Sequence, residues 1–150
     1  MLDIIDQAYD RPSWHGTNLR GSLRRVSAGQ AAWRPSPGRH NIWEIAVHAA
    51  YWKYAVARRF RREARGSFPE KGSNWFPRPQ DPGDRAWRDD RALLDHTHAA
   101  LRESISPLSP AAVRRTPPGK KVSNFAVLSG IAAHDLYHAG QIQLLKRLMQ

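Results

Sequence analysis

Apolar residues recur at helical spacing along most of this chain, and they group into four long segments. Within each segment the apolar positions fall three and four residues apart, which places them on one face of an α-helix. The predicted helices run from about Ser13 to Val26, from Asn41 to about Arg65, from Asp84 to about Ile105, and from after Ser123 nearly to Gln150. We find no strand-like alternation of useful length and no repeat at solenoid spacing. The pattern predicts an all-α four-helix bundle, with residues 1–150 forming a single domain.

Capping residues support two of the predicted helix starts. Asn41 followed three residues later by Glu44 has the spacing of a capping box, which indicates the start of the second helix. Ser27 and Gln30 have the same spacing, and they predict a short helical turn before the breaker-rich run 35–38.

The connection between the second and third helices, residues 66–83, is rich in glycine and proline. It also holds Trp75 and Phe76, which a purely disordered linker would not need. We expect an ordered crossover that packs over the bundle and caps a pocket. A simple connection with two aromatic anchors is the alternative. A second connection, residues 107–121, joins the third and fourth helices.

Size and composition narrow the chemistry that the chain can perform. Its 150 residues are enough for one domain with a real core, and it contains no cysteine. Disulfides, thiolate metal sites and cysteine nucleophiles are therefore excluded. A transition-metal site would use histidine and carboxylate, which favours zinc or nickel, with iron or manganese as alternatives. No signal peptide and no membrane-spanning apolar run is apparent, so we expect a cytoplasmic protein without a membrane partner.

The chain is strongly basic, with a formal net charge of +11. Such a balance is typical of proteins that bind nucleic acid. Here the arginines are spread through every segment, which favours a solvated surface over a dedicated binding face. A polyanion-binding face and an anionic substrate drawn in by the field are the alternatives.

Three histidines point into the predicted core from two helices. His134 and His138 are four residues apart, so their side chains lie one above the other on one helix face. A helical wheel places both inside the apolar stripe of the fourth helix, and it places His48 inside the stripe of the second. Burying three imidazoles together is costly unless their nitrogens find partners. A divalent metal ion held by all three would remove that cost, and bundle cores are where such sites are built. A polar histidine network, or unrelated core histidines, is the alternative.

Three nitrogen ligands would leave at least one coordination position open, as in catalytic zinc sites. Glu44 and Asp135 lie near the histidines on the same helices and are candidate catalytic acids. Each is a candidate ligand, hydrogen-bond acceptor for a histidine N–H, or general base. For Glu44 the competing interpretation is a capping box, and for Asp135 a supporting contact or salt bridge comes ahead of ligation.

The remaining histidines and the neighbours of the trio carry weaker signals. His96 and His98 are two residues apart and do not share a helix face, so surface positions are expected for both. His40 is expected to be exposed, and His15 stays ambiguous between the pocket mouth and the surface. The residues that flank the trio, and that either line the site or simply pack, are Tyr51, Trp52, Tyr137 and Gln141.

Two segments resemble the signature helices of the DinB-like superfamily. They are residues 40–53, HNIWEIAVHAAYWK, and residues 134–142, HDLYHAGQI. The run WRPSPG at 33–38 is similar to the loop before the first signature. The resemblance extends over nearly the whole chain and implies a four-helix bundle with a long crossover, commonly dimeric. It also implies a divalent ion held by His48, His134 and His138, and a superfamily that includes S-transferases and isomerases using low-molecular-weight thiols.

The histidine site predicts a metal-dependent enzyme acting on a small-molecule substrate. The resemblance implies a homodimer and transfer of a small thiol to an electrophile, with metal-assisted hydrolysis as the second reaction class. One alternative is a non-enzymatic basic protein that binds nucleic acid and has a structural metal or none. Another is a bundle whose main role is oligomeric assembly.

Overall fold

The computed structural model describes residues 1–64, 66, 68–78 and 83–150. These residues form seven helices and no strand, so the all-α prediction is confirmed. The helices are α1 Leu2–Tyr9, α2 Leu19–Ser22, α3 Ala28–Ala32, α4 Ile42–Arg61, α5 Asp84–Ile105, α6 Pro110–Arg114 and α7 Asn124–Leu148. Over the described residues, none of these helices has the length and apolar character needed to cross a membrane.

The three longest helices lie where the sequence predicts them. At the start of α4, Asn41 and Glu44 form the predicted capping box, and α5 has the predicted bounds. The Ser123 side chain caps α7 by accepting a hydrogen bond from the Ala126 N–H. Helix α4 ends at Arg61, since Arg62 adopts a left-handed backbone conformation with φ of 58°. The predicted end at Arg65 lies outside the described residues.

The predicted first helix, Ser13 to Val26, is wrong. The structure instead forms α1 from residues before Ser13 and only one turn, α2, within the predicted span. Gly16 has φ of +95°, and the Asn18 side chain accepts a hydrogen bond from the Gly21 N–H. A left-handed glycine and a side-chain cap both interrupt a helix at this point, which outweighs the apolar spacing.

Two short helices occupy predicted connections. Helix α3 has the capping box of Ser27 and Gln30 that the sequence predicts. Helix α6 lies in the connection between α5 and α7 and was not predicted. Its signal is Ser109, whose side chain accepts from the Ala112 N–H, followed by Pro110 at the first helical position.

Helix α4 packs between α5 and α7, and α1 packs against both α7 and α5. One apolar cluster surrounds the fully buried Trp43 between α2, α3, α4, the first half of α5 and the second half of α7. A second lies between α1, the second half of α4, the end of α5 and the first half of α7. Because α4 and α7 lie side by side, residues on their facing sides meet in the interior.

The described part of the crossover, residues 68–78, packs on the first apolar cluster. Phe76 is buried, and Phe68 and Trp75 are partly buried against the same cluster. This confirms an ordered crossover over these residues, whereas residues 79–82 of the predicted crossover lie outside the described part of the chain.

Candidate metal centre

The structure brings the three predicted histidines together at the contact between α4 and α7. His48 Nε2 lies 3.0 Å from His134 Nε2, and His138 Nε2 lies 3.1 Å from the same atom. Among the described residues, these three form a group whose possible ligand atoms all lie within 4.8 Å of one another. Nitrogens bound to one ion at about 2.0–2.1 Å would lie about 3.0–3.4 Å apart, so the observed spacing fits a shared ion.

Neighbouring acceptors orient two of the rings. His48 Nδ1 donates to the Asn74 backbone carbonyl at 2.7 Å, and His138 Nδ1 donates to Gln141 Oε1 at 2.6 Å. A neutral ring that donates from Nδ1 has its lone pair on Nε2. His134 carries at most one proton on Nε2 when neutral and donates it to only one neighbour. At least one of these two nitrogen–nitrogen contacts of about 3 Å therefore has no hydrogen bond across it, and a cation bound by the Nε2 lone pairs would remove that cost.

Burial keeps the three rings neutral near pH 7. It lowers the pKa of His48, and it lowers that of His138 to about 4. For His134, burial together with the two neighbouring histidines lowers the pKa to about 3. Neutral imidazole is the form that ligates a metal ion. His134 Nδ1 is also buried and, among the residues that the structure describes, has no hydrogen-bond partner.

The crossover closes one side of the centre with an aromatic stack. The Trp75 ring lies between His40 and His48, at centroid distances of 3.6 and 3.9 Å and nearly parallel to both. The preceding residue, Asn74, accepts two hydrogen bonds. Its backbone carbonyl accepts from His48 Nδ1, and its side-chain oxygen accepts from the Trp52 indole N–H at 3.0 Å. The crossover thus fixes His48 through both its ring face and its Nδ1 atom.

The two candidate carboxylates are engaged elsewhere. Asp135 is fully buried and forms an ion pair with the buried Lys53 of α4. Glu44 completes the capping box and accepts from Arg34 at 2.5 and 2.9 Å and from His40 at 3.0 Å. Burial opposes ionisation of Glu44, but the hydrogen bonds from Arg34 and His40 prevail and lower its pKa. Neither carboxylate joins the group of possible ligand atoms around the three histidines.

Of the other histidines, His15, His40 and His96 are exposed, as expected for His40 and His96. The expected surface position of His98 is wrong. His98 is only 4% exposed, and its ring stacks on Tyr9 of α1 at 3.9 Å. The error follows from the missed helix α1, which covers this face of α5.

The predicted flanking residues divide into two groups. Gln141 and Tyr137 contact His138, the latter ring to ring at 5.1 Å, and Trp52 lies edge-on to His48. Tyr51 packs on Phe68 and Phe76 of the crossover. The sequence analysis did not identify Asn74 or Lys53 as site residues. Asn74 acts through its backbone and leaves no sequence signal, whereas Lys53 was visible as a cation in the stretch between Glu44 and Arg58, which has no other charged residue.

Comparison with known proteins yields one match. The family model described as the DinB superfamily matches residues 13–142, which include all three histidines. No curated protein and no solved structure matches the chain.

Proposed function

The chain belongs to the DinB superfamily, and from that premise we propose that it binds one divalent metal ion through His48, His134 and His138 and uses it in catalysis. The observation that carries this proposal is the convergence of three Nε2 atoms with separations of 3.0 and 3.1 Å. Two of the rings are already oriented by their Nδ1 hydrogen bonds, so little rearrangement is required for binding.

The donor set supports zinc or nickel as the resident ion. Three neutral imidazoles with no thiolate suit these borderline metals, and iron or manganese would be expected to recruit carboxylates as well. When bound, the ion would supply Lewis-acid chemistry to a small thiol or to water at its open position. Transfer of a low-molecular-weight thiol to an electrophile is our leading reaction class, and metal-assisted hydrolysis is second.

The chain's own residues hold the site in shape. Trp75 covers the His48 ring and excludes water from that side. Asp135 acts as a positioning residue, because its ion pair with Lys53 ties α7 to α4 beside the histidines. Glu44 accepts a hydrogen bond from His40 and so holds the His40 ring against Trp75, whose other face covers His48.

We also propose a helix arrangement, a domain organisation and an oligomeric state for the chain. We interpret α1, α4, α5 and α7 as the four helices of a bundle, within a single domain over residues 1–150. A homodimer in the cytoplasm is the expected form of the protein.

Metal analysis of protein purified without a histidine tag tests the binding step. We expect close to one equivalent of metal per chain, and loss of most of it in a His48→Ala/His138→Ala variant. His96→Ala is the matched control, because His96 is exposed on α5 and is not part of the cluster. Negligible metal in both the wild type and the double variant, after reconstitution with zinc and with nickel, would overturn the proposal.

A thiol-transfer assay tests the catalytic step separately. The metal-loaded wild type is expected to consume a model electrophile only when a small thiol is present, and the double variant is expected to be inactive. Turnover of an ester without any thiol would favour hydrolysis instead. A metal-loaded protein inactive in both assays would remove the catalytic part of the proposal while leaving metal binding intact.

A further inference from the structure

An apolar cleft adjoins the histidine cluster on the side of His138. Its volume is about 510 Å³, within the usual range for small-molecule sites. His138 and Trp75 form part of its wall, so the cleft shares one histidine with the proposed metal centre.

The long wall of the cleft is an exposed apolar face of α7. Tyr137, Leu144 and Leu148 lie seven and four residues apart, which places them on one side of the helix. They are 64%, 58% and 56% exposed. Exposed apolar residues are unremarkable singly, but a contiguous set beside a concave site indicates a binding surface.

The rim of the cleft formed by the residues before α4 is cationic through Arg39. Arg39 and His40 line it, and none of the described residues that line the cleft is acidic. The nearby Glu44 is occupied by Arg34 and His40. Within the described part of the chain, the Arg39 side chain makes no ion pair or hydrogen bond, since only its backbone N–H and carbonyl are used. An incoming anion would therefore meet an unpaired guanidinium.

From this arrangement we infer that the cleft binds an organic anion with an apolar acyl or aryl body, which lies along Tyr137, Leu144 and Leu148 with its charged group at Arg39. The reacting part of such a molecule would lie toward His138. This inference rests on the proposed function, and it names the substrate class of the same site.

The concavity favours a small molecule over a second copy of the chain. A partner helix would need a broad face, whereas this surface lines a cleft whose wall also includes His138 and Trp75. The cationic rim adds a charge requirement that an apolar homodimer contact would not need.

Calorimetric titration of the as-purified protein with two amphiphiles of equal chain length tests the inference. The probes are 1-octanesulfonate, whose sulfonate is a poor metal ligand, and octyltrimethylammonium. We expect the sulfonate to bind about threefold or more tightly than the ammonium, and Arg39→Gln to remove that preference. Arg88→Gln, on the exposed face of α5, makes the same change in net charge and is expected to leave the preference intact.

Leu144→Asn tests the apolar wall and is expected to weaken octanesulfonate binding about tenfold. Ile4→Asn, at an equally exposed position on α1, is the matched control and is expected to have no effect. Equal affinity for the two probes, no binding of either, or no effect of Leu144→Asn would overturn the inference. So would a change from dimer to monomer in Leu144→Asn with unaltered octanesulfonate binding.

The two proposals fail in different ways. Octanesulfonate binding in protein that holds no metal after reconstitution would remove the proposed function and leave the cleft assignment standing. Near-stoichiometric metal without selective octanesulfonate binding would remove the cleft assignment alone.

Discussion

At the scale of single residues, each histidine of the centre depends on a different kind of neighbour. His48 is oriented by a backbone carbonyl from the crossover, and His138 by a side chain three residues later on its own helix. His134 Nδ1 has no hydrogen-bond partner among the described residues, and its ring lies edge-on to the rings of Trp52 and His138. A side-chain substitution can remove the acceptor of His138, which is Gln141 Oε1, whereas it cannot remove the backbone carbonyl that orients His48.

Gln141→Leu is expected to weaken metal binding about 10- to 100-fold while leaving the protein folded, because it removes the acceptor that directs the His138 Nε2 lone pair inward. A competition titration against a chromophoric chelator measures the change. Gln143→Leu, on the same helix and without a hydrogen bond to the cluster, serves as the control. Equal affinities in the two variants would contradict the role given to Gln141.

His98 gives a pH dependence that is separate from the metal centre. Burial, followed by the charge of Lys53, lowers its pKa to about 3. In the unfolded chain the pKa of this histidine is near 6.5. Between about pH 6.5 and pH 3 it is therefore protonated in the unfolded chain and neutral in the folded protein. Its contribution favours the folded state above about pH 6.5, and it is lost progressively as the pH falls from there toward 3.

We therefore expect the free energy of unfolding to fall less steeply with decreasing pH in His98→Phe, which keeps a ring against Tyr9, than in the wild type. Between pH 7 and pH 5 the free energy of unfolding should fall by on the order of 1–2 kcal/mol more in the wild type than in the variant. Urea denaturation at the two pH values measures the difference. Identical falls in both proteins would show that His98 does not titrate in this way.

The sequence predicted the position of a side chain correctly where that position depends only on which face of a helix the residue occupies. The wheels placed His48, His134 and His138 inward because each lies within a regular apolar stripe. A salt bridge of Asp135 was predicted, but its partner Lys53 and the contact of Asn74 were not, because they depend on which loop and which helix lie opposite.

At the scale of helices, the ion pair between Lys53 and Asp135 connects the two elements that carry the centre. Both side chains are fully buried, and the ammonium also lies over the Tyr9 ring at 4.6 Å. A buried pair contributes little over an apolar pair of the same size, but removing one partner leaves an uncompensated charge.

Lys53→Met is therefore expected to destabilise the protein by about 3–5 kcal/mol, and Lys53→Met/Asp135→Leu to recover most of the loss. Chemical denaturation of the three proteins measures both effects. If the double variant is as unstable as the single one, packing rather than charge compensation dominates at this site.

The crossover is the second element that shapes the centre. Trp75→Ala removes the ring that lies between His40 and His48, so the His48 ring gains freedom and water gains access. We expect faster loss of metal to a chelator, with near-wild-type helix content. Trp14→Ala replaces an indole that is 95% exposed and is expected to lose metal at the wild-type rate. Wild-type loss rates in both variants would contradict a protective role for Trp75.

Prediction of the helices followed the strength of their local signals. Helices α4, α5 and α7 are long, and α4 and α7 also have side-chain caps, so periodicity located them well. Helix α1 has only eight residues and no side-chain cap, so its start carried little signal. The error at Ser13–Val26 arose because apolar spacing was weighed above the local turn chemistry of Gly16 and Asn18.

At the scale of the whole molecule, the net charge of +11 lies outside the buried ion pairs. Three acidic residues, Asp6, Glu44 and Asp135, are buried, and each is paired with a cation. The field around the cleft therefore favours anions, in agreement with the substrate class inferred for it. A nucleic-acid partner stays a prediction of composition alone.

The metal-edge X-ray absorption spectrum of the reconstituted protein tests the central claim most directly, because it counts the ligands of the ion itself. We expect the imidazole scattering of three histidines at about 2.0–2.1 Å, together with at least one further light-atom ligand. We expect one imidazole fewer in the His138→Ala variant. A first shell of oxygen ligands with one imidazole or none, unchanged by that substitution, would contradict the three-histidine centre.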